Sequence, residues 1–271
     1  MSVVARWQLP PVHVDVVLEY LGLGDLVLPL AVPSFGHTTE QFADIGRREL
    51  GNMVANGAVV DDEVHPALAE ALRLLAHPHL WVDSVWFPQV GEDHCWRTVA
   101  VRTEGDRVVL GVQPPAEDPR FGGMLTVEVH QNVPLPQVLL GTLPPAPPGT
   151  RGAPKVPASS FRVGQEEAEP GSVLQTATRA RGSSGDREHE LYQAIGRAPH
   201  VRVGQIAANS RDPHGRTRRS PILRWFDNVE PDGRYLDHDE RGVAGERIHM
   251  LTPADARLIG AQVDALLAQV R

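Results

Sequence analysis

The side chains that could carry chemistry are numerous, but their spacing organises them poorly. The chain has twelve histidines, 34 acidic residues and a single cysteine, Cys95. His77 and His79 flank Pro78. His238 sits between Asp237 and Asp239. Glu92-Asp93-His94-Cys95 puts two carboxylates, an imidazole and the thiol in one run. A structural zinc site needs four ligands, commonly in closely spaced Cys or His pairs, and one cysteine cannot supply Cys-x-x-Cys. These groups therefore read as surface clusters, and no metal is expected. Gly22-Leu23-Gly24-Asp25 follows a helical pattern rather than a strand and lacks a third glycine, so it reads as a helix cap and turn, not a dinucleotide loop. No Gly-x-Ser-x-Gly elbow occurs, and no glycine-rich phosphate loop ends in lysine. Cys95 beside Trp96 reads as packing, and the adjacent Asp61-Asp62 as a helix cap. No catalytic residue, cofactor or enzymatic activity is expected.

Two clusters point instead to binding. Arg211, Arg216, Arg218, Arg219 and Arg224 form a basic run. It reads first as a solvated hairpin tip, second as a partner surface whose guanidinium forks take carboxylates, and last as a phosphate contact. The net charge of −8 argues against nucleic acid. Trp81, Trp86, Phe87 and Trp96 gather at one expected hairpin. Strand alternation puts Trp81 and Phe87 on one face and Trp86 on the other. One set belongs to a core; the other, if exposed, is an apolar patch in need of a partner.

Elements that position these residues follow from periodicity. Arg6 to Leu9 reads as a short strand and Val12 to Leu21 as a helix stopped by Gly22. Leu26 to Val32 reads as another strand. Thr38 to Asn56 is a helix with a Thr38/Gln41 capping pair, and a third helix runs from Asp61-Asp62 to Pro78. Strands are expected at Leu80 to Phe87, Trp96 to Arg102, Arg107 to Val112 and Met124 to His130, with Val90 to His94 as a polar loop. Leu135 to Leu143 fits either state. Pro144 to Ser160, rich in Pro, Gly, Ala and Ser, reads as a linker or crossing loop, and Gly182 to Gly185 as a loop. Arg187 to Arg197 is helical. Val201 to Ile206, Ser220 to Phe226, Arg234 to Leu236 and Arg247 to Met250 read as strands. A last helix is capped by Thr252, with Pro253 in its first turn.

One echo crosses the chain. Pro78-His79-x-x-Val82-x-x-Val85 recurs as Pro199-His200-x-x-Val203-x-x-Ile206, an offset of 121. Each copy follows a helix and opens a strand meander, which suggests two related halves. The expected fold is α+β. A central, largely antiparallel sheet is flanked by helical bundles, in two halves related by a pseudo-two-fold. Residues 1–143 form the first half, 144–186 a crossing segment and 187–271 the second, within one compact domain. Lone Cys95 suits a reducing compartment. No secretory pattern opens the chain, and no apolar run reaches the ~18–20 residues of a membrane helix. A cytoplasmic protein without membrane insertion is expected.

"VGQIA", "GRTRR", "FDNVEPDGRYL" and "LTPADARLIGAQVDALL", in this order and spacing, resemble the EspG family, the specificity chaperones of ESX (type VII) secretion. The resemblance implies a non-enzymatic protein that binds the helical tip of the PPE partner in a PE–PPE heterodimer and keeps the pair soluble. It also implies contacts on the sheet, on a strand–strand loop of the first half and on the C-terminal helical region. That loop corresponds to Val90 to His94. The candidate partner-binding residues are Trp86, Gln89, Val90, Glu92, Asp93 and His94, with Arg216 and Arg218 from the basic run. A homodimer is left open, as are two other classes: an enzyme with an unrecognised site, and a self-associating structural or regulatory protein with another partner.

Overall fold

A computed structural model of the chain describes residues 2–161 and 184–271. Strand β1 (Ser2–Leu9) leads into helix α1 (Pro11–Leu21), where Pro11 occupies the first turn, a position whose N–H has no helical acceptor. Gly22 ends it at φ 63°, the left-handed conformation a C-terminal cap requires. Helix α2 (Thr39–Ala55) starts from Thr38, whose hydroxyl accepts from the Gln41 N–H at 3.2 Å. The Gln41 side chain in turn accepts from the His37 N–H at 2.7 Å, closing the expected pair one residue further out. A small hairpin, β2 (Val59–Val60) and β3 (Glu63–Val64), precedes helix α3 (Pro66–Ala76). Then come β4 (Leu80–Phe87), β5 (Trp96–Arg102), β6 (Arg107–Gln113), β7 (Leu125–Gln131) and the short helix α4 (Leu135–Leu140). Strand β8 (Lys155–Pro157) and a 3₁₀ turn (Ala158–Phe161) end the first described stretch. The second holds α5 (Ser184–Gly196), β9 (His200–Arg211), β10 (Thr217–Arg219), β11 (Leu223–Asn228), β12 (Arg234–Arg241), β13 (Arg247–Pro253) and α6 (Ala256–Val270). Six α-helices and a large antiparallel sheet of eleven strands among the described residues make this the expected α+β fold.

By contacts the chain falls into two units, Met1–Pro145 with Arg202–Ile222 and Ala256–Arg271, and Ala146–Val201 with Leu223–Asp255. The strands of the first unit run in the order β1-β7-β6-β5-β4-β9, with β10 folded back on β9. One face carries Leu9, Trp81, Val99, Val101, Val109, Leu125 and Val127, packed against Val14 and Val17 of α1 and Leu68, Leu72 and Leu75 of α3. Each such aliphatic side chain contributes about 1.5–3 kcal/mol by leaving water. On the opposite face α4 lies over β5 and β6, and α6 packs on α4 and β4. The two copies of the Pro-His echo open β4 and β9, and these strands pair antiparallel, with Val82 opposite Ala208, Ser84 opposite Ile206 and Phe87 opposite Val203. The echoed segments are thus direct neighbours across a local two-fold.

In the second unit the order is β11-β12-β13-β8, with α5 against β8 and β13. An ionic core holds it. Arg234 donates to Asp227 at 2.6 and 2.8 Å while its guanidinium lies 4.3 Å from the Trp225 ring centre. Asp232 accepts from the Thr150 N–H, the Asn228 amide and the Tyr235 hydroxyl at 2.8–3.1 Å. Burial pushes the Asp232 carboxyl up, but these donors outweigh it and hold it below the ordinary value. The "FDNVEPDGRY" motif is therefore a scaffold.

Four expectations about local structure change. Leu26 to Val32 is a loop: the Gln113 side-chain amide takes the Ala31 N–H at 2.9 Å and carbonyl at 3.1 Å, in place of a strand partner. Asp61 and Asp62 cap no helix. Their φ values of 51° and 62° make the two-residue turn of the β2–β3 hairpin, a conformation aspartate tolerates, and His65 caps α3. Thr252 and Pro253 finish β13, opposite Leu236 and Tyr235, and α6 begins at Ala256. The strand expected over Ser220 to Phe226 begins only at Leu223, as β11: residues 220–222, around Pro221 with no N–H to donate, are irregular and separate it from β10. Of Leu135 to Leu143, the first six residues form α4 and 141–143 a turn. Gly182 lies outside the described residues, and Gly185 belongs to α5.

Candidate partner-docking groove

Trp86 on β4 and Trp96 on β5 are directly opposed across the strand pair, so their side chains share a face. Their rings stack with centroids 5.5 Å apart and planes 1° from parallel. Trp86 is buried and Trp96 half-buried. The same face continues through the register. Thr98 lies opposite Val112, Val112 opposite Thr126 and Thr126 opposite Gln8; in the next row Leu110 lies opposite Glu128 and Glu128 opposite Arg6. Thr98 itself is buried; the other residues of these rows, with Val138 of α4 and Gly141 to Pro144 after it as a side wall, line an open groove of about 710 Å³.

The groove has two chemical characters. Near the tryptophans it is apolar, with Val112, Val138 and Leu143. Towards β1 and β7 it is polar: Arg6 Nε lies 3.4 Å from Glu128 Oε1, and Glu128 Oε2 is 2.8 Å from His130 Nε2. The arrangement can bury an apolar projection and bond its polar rim.

Trp86 continues into the loop that holds the other expected residues. Gln89, Val90, Glu92 and Asp93 are exposed there and His94 is half-buried, before the chain re-enters the sheet at buried Cys95 and Trp96. The structure thus brings Trp86 and this loop together at one end of β4. Arg216 and Arg218 lie at the other end, because Leu80 pairs with Ser210 and the Arg211 N–H donates to the His79 carbonyl at 2.8 Å. Eight strand residues at about 3.3 Å each separate the ends by roughly 25 Å. The basic run is also divided by its contacts. Arg216 N–H bonds Asp212, Arg218 donates to the Arg271 carbonyl at 3.2 Å beyond α6, and Arg219 pairs with Asp83.

Arg6, Glu128, His130 and the α4 wall were not singled out from sequence. The alternation Arg6/Gln8 and Thr126/Glu128/His130 was visible, but the pairing of β1 with β7 that merges the two rows was not. Burial raises the Cys95 thiol above its ordinary value, against the smaller pull of Arg97, as suits a packing residue. Among the described residues no three or more His, Cys, Asp or Glu side chains are grouped to hold a metal ion, and no helix is long and apolar enough to cross a membrane.

A model of the EspG family matches residues 10–265. No curated protein matches the chain.

Proposed function

From the premise that this chain belongs to the EspG family, and is an ESX secretion-associated chaperone, we propose that its sheet groove receives the helical tip of the PPE protein in a PE–PPE heterodimer. In this reading the protein acts in the cytoplasm, binds without catalysis, and keeps the heterodimer soluble until the secretion machinery takes it. The observation that carries the proposal is the Trp86–Trp96 stack at the apolar end of an open groove. A helical hairpin presents apolar side chains at its tip and leaves its last carbonyls or first N–H groups unbonded. Half-buried Trp96, backed by buried Trp86, offers apolar area for the first, and Arg6, Glu128 and the exposed Gln89 and Glu92 offer partners for the second. A standard interface buries about 800 Å² per partner; if half is apolar, about 20 kcal/mol of gross burial exceeds the roughly 4–15 kcal/mol cost of association. A partner that spans β4 also reaches Arg216 and Arg218.

The test is co-expression with a PE–PPE pair encoded nearby. One chaperone should co-elute with one heterodimer, and Trp96→Glu should lower capture at least tenfold while the fold persists by circular dichroism. Failure to co-purify with any such pair, or full capture by Trp96→Glu, overturns the proposal.

A further inference from the structure

A second groove opens on the helical layer that covers the other face of the first unit's sheet. It lies between α1 and α2, has a volume of about 500 Å³ and shares no lining residue with the Trp86–Trp96 groove. Helix α2 makes it unusual. Of its 17 residues only Met53 is buried, although the helix carries an apolar face. Leu50 on the groove wall is 39% exposed and Tyr20 on the facing helix 62%. The floor is shallow in side chains: a Cβ on Gly46 would meet Val16 at ordinary van der Waals distance, and Ala43 lines the groove beside it. Small residues flanked by Phe42 and Leu50 form a trough in which a third helix can lie.

The rim specifies what kind of helix. Glu19 and Asp62 line the groove, Glu63 accepts the Tyr20 hydroxyl at 2.8 Å, and Glu40 stands in the first turn of α2. The one basic lining residue, Arg47, is committed to Asp44. Among the described residues neither Glu19 nor Asp62 has a cationic partner. The carboxyls also crowd one another: Asp15 is raised chiefly by burial, against the Phe35 N–H, with Glu19 and Asp25 adding to the rise. A second copy of this chain, at −8, brings its own negative field against this rim, and an anionic lipid surface does the same.

We infer that the α1–α2 groove docks an amphipathic helix whose apolar stripe is flanked by arginine or lysine. Such a helix sets residues at i, i+3, i+4 and i+7 into the trough and its cations against Glu19 and Asp62. The interaction is separate from substrate capture at the sheet groove, so a loaded chaperone keeps this surface free for a second partner.

The probe is a labelled 18-residue peptide with leucine at those positions and Lys/Arg flanks, together with a twin carrying Glu flanks. Both are titrated by fluorescence anisotropy against the full chain. The cationic peptide should bind, the twin at least tenfold more weakly, and raised salt should weaken the cationic complex. Leu50→Asp and, separately, Glu19→Lys with Asp62→Lys should each cost at least tenfold, while Trp96→Ala leaves peptide affinity unchanged. Both groove variants should still capture PE–PPE, which keeps this test distinct from that of the sheet groove. Leu50 is exposed, and should Leu50→Asp perturb folding the charge-reversed pair decides. Wild-type affinity in the charge-reversed pair, equal binding of the Glu twin, competition by anionic vesicles, or a homodimer dissociated by Leu50→Asp each overturns the inference.

Discussion

Arg219 grips Asp83 with both terminal nitrogens, Nη1 to Oδ2 at 2.6 Å and Nη2 to Oδ1 at 3.0 Å. Asn209 completes the set, donating to Asp83 at 2.7 Å and accepting from Arg219 at 2.9 Å. A residue from the basic run is thus bound to a buried carboxylate on β4. Arg219→Ala leaves that carboxylate with one amide donor and should lower the free energy of unfolding by about 2 kcal/mol, below the full cost of breaking a wholly buried pair because the guanidinium is half exposed. Urea denaturation checks this; an unchanged midpoint would refute it.

The two ends of β4 can be separated by mutation. Glu92→Lys with Asp93→Lys should weaken PE–PPE capture at least tenfold with the melting temperature nearly unchanged, since both side chains are exposed. Arg216→Glu with Arg218→Glu should weaken it less, because those residues adjoin the strand end far from Trp86 and Trp96. Pull-down at two salt concentrations reads both effects, and full-strength capture by the acidic-loop variant would show the contact loop to be misplaced.

Gly149 has no room for a side chain, because a Cβ there would fall 2.1 Å from the Tyr235 ring. Gly149→Ala must therefore displace a ring buried to its full extent. Overpacking of this kind costs about 1–3 kcal/mol or more. Calorimetry should show a clear loss of melting temperature, and Tyr235→Phe should not restore it.

Asp237 faces α5, where the Tyr192 hydroxyl approaches it at 3.4 Å. Burial raises its carboxyl above the ordinary value, against the pull of Arg224 across the strand pair, and Asp239 adds to the rise. Folding thus makes this carboxyl harder to ionise than it is in the unfolded chain, and its ionised form costs stability at pH 7. Asp237→Asn should raise the melting temperature at pH 7, and the gain should vanish as pH falls below about 4, where an unperturbed aspartate protonates. Equal gains at both pH values would contradict the assignment.

All three tyrosines resist ionisation. Tyr192 is pushed up to about 12, chiefly by burial and then by Asp237; Tyr235 is raised chiefly by burial; and Tyr20 is raised by its hydrogen bond to Glu63. A raised folded value stabilises below the unfolded pKa and is lost as pH climbs through the folded one, here from about 10 to about 12. Absorbance at about 295 nm should show less phenolate at pH 10 in the native protein than in denaturant, where about half is ionised.

What the sequence disclosed depended on how local the cause was. The helices announced themselves through Gly22, the Thr38/Gln41 pair and the leucines of α3, because caps and periodicity act within a few residues. Alternation placed β4 to β7 almost to the residue. Errors arose where distant groups decided. Leu26 to Val32 is shaped by a glutamine more than 80 positions away, and Thr252 is held in a strand by its neighbours on β12. The candidate site was half legible for the same reason. Trp86 and its loop are contiguous in sequence, but the polar end of the groove exists only once β1 lies beside β7.

The pairing of β4 with β9 also bears on how the chain is made. A ribosome delivers β4 with its meander partners, but β9 emerges only after roughly 120 more residues, several seconds later at typical elongation rates. During that interval one flank of β4 has open N–H and C=O groups, the condition under which nascent strands recruit wrong neighbours. Closing so long a loop is entropically slow, so native assembly should be limited by this late contact. A chaperone for other proteins thus passes through its own vulnerable stage before it can serve them.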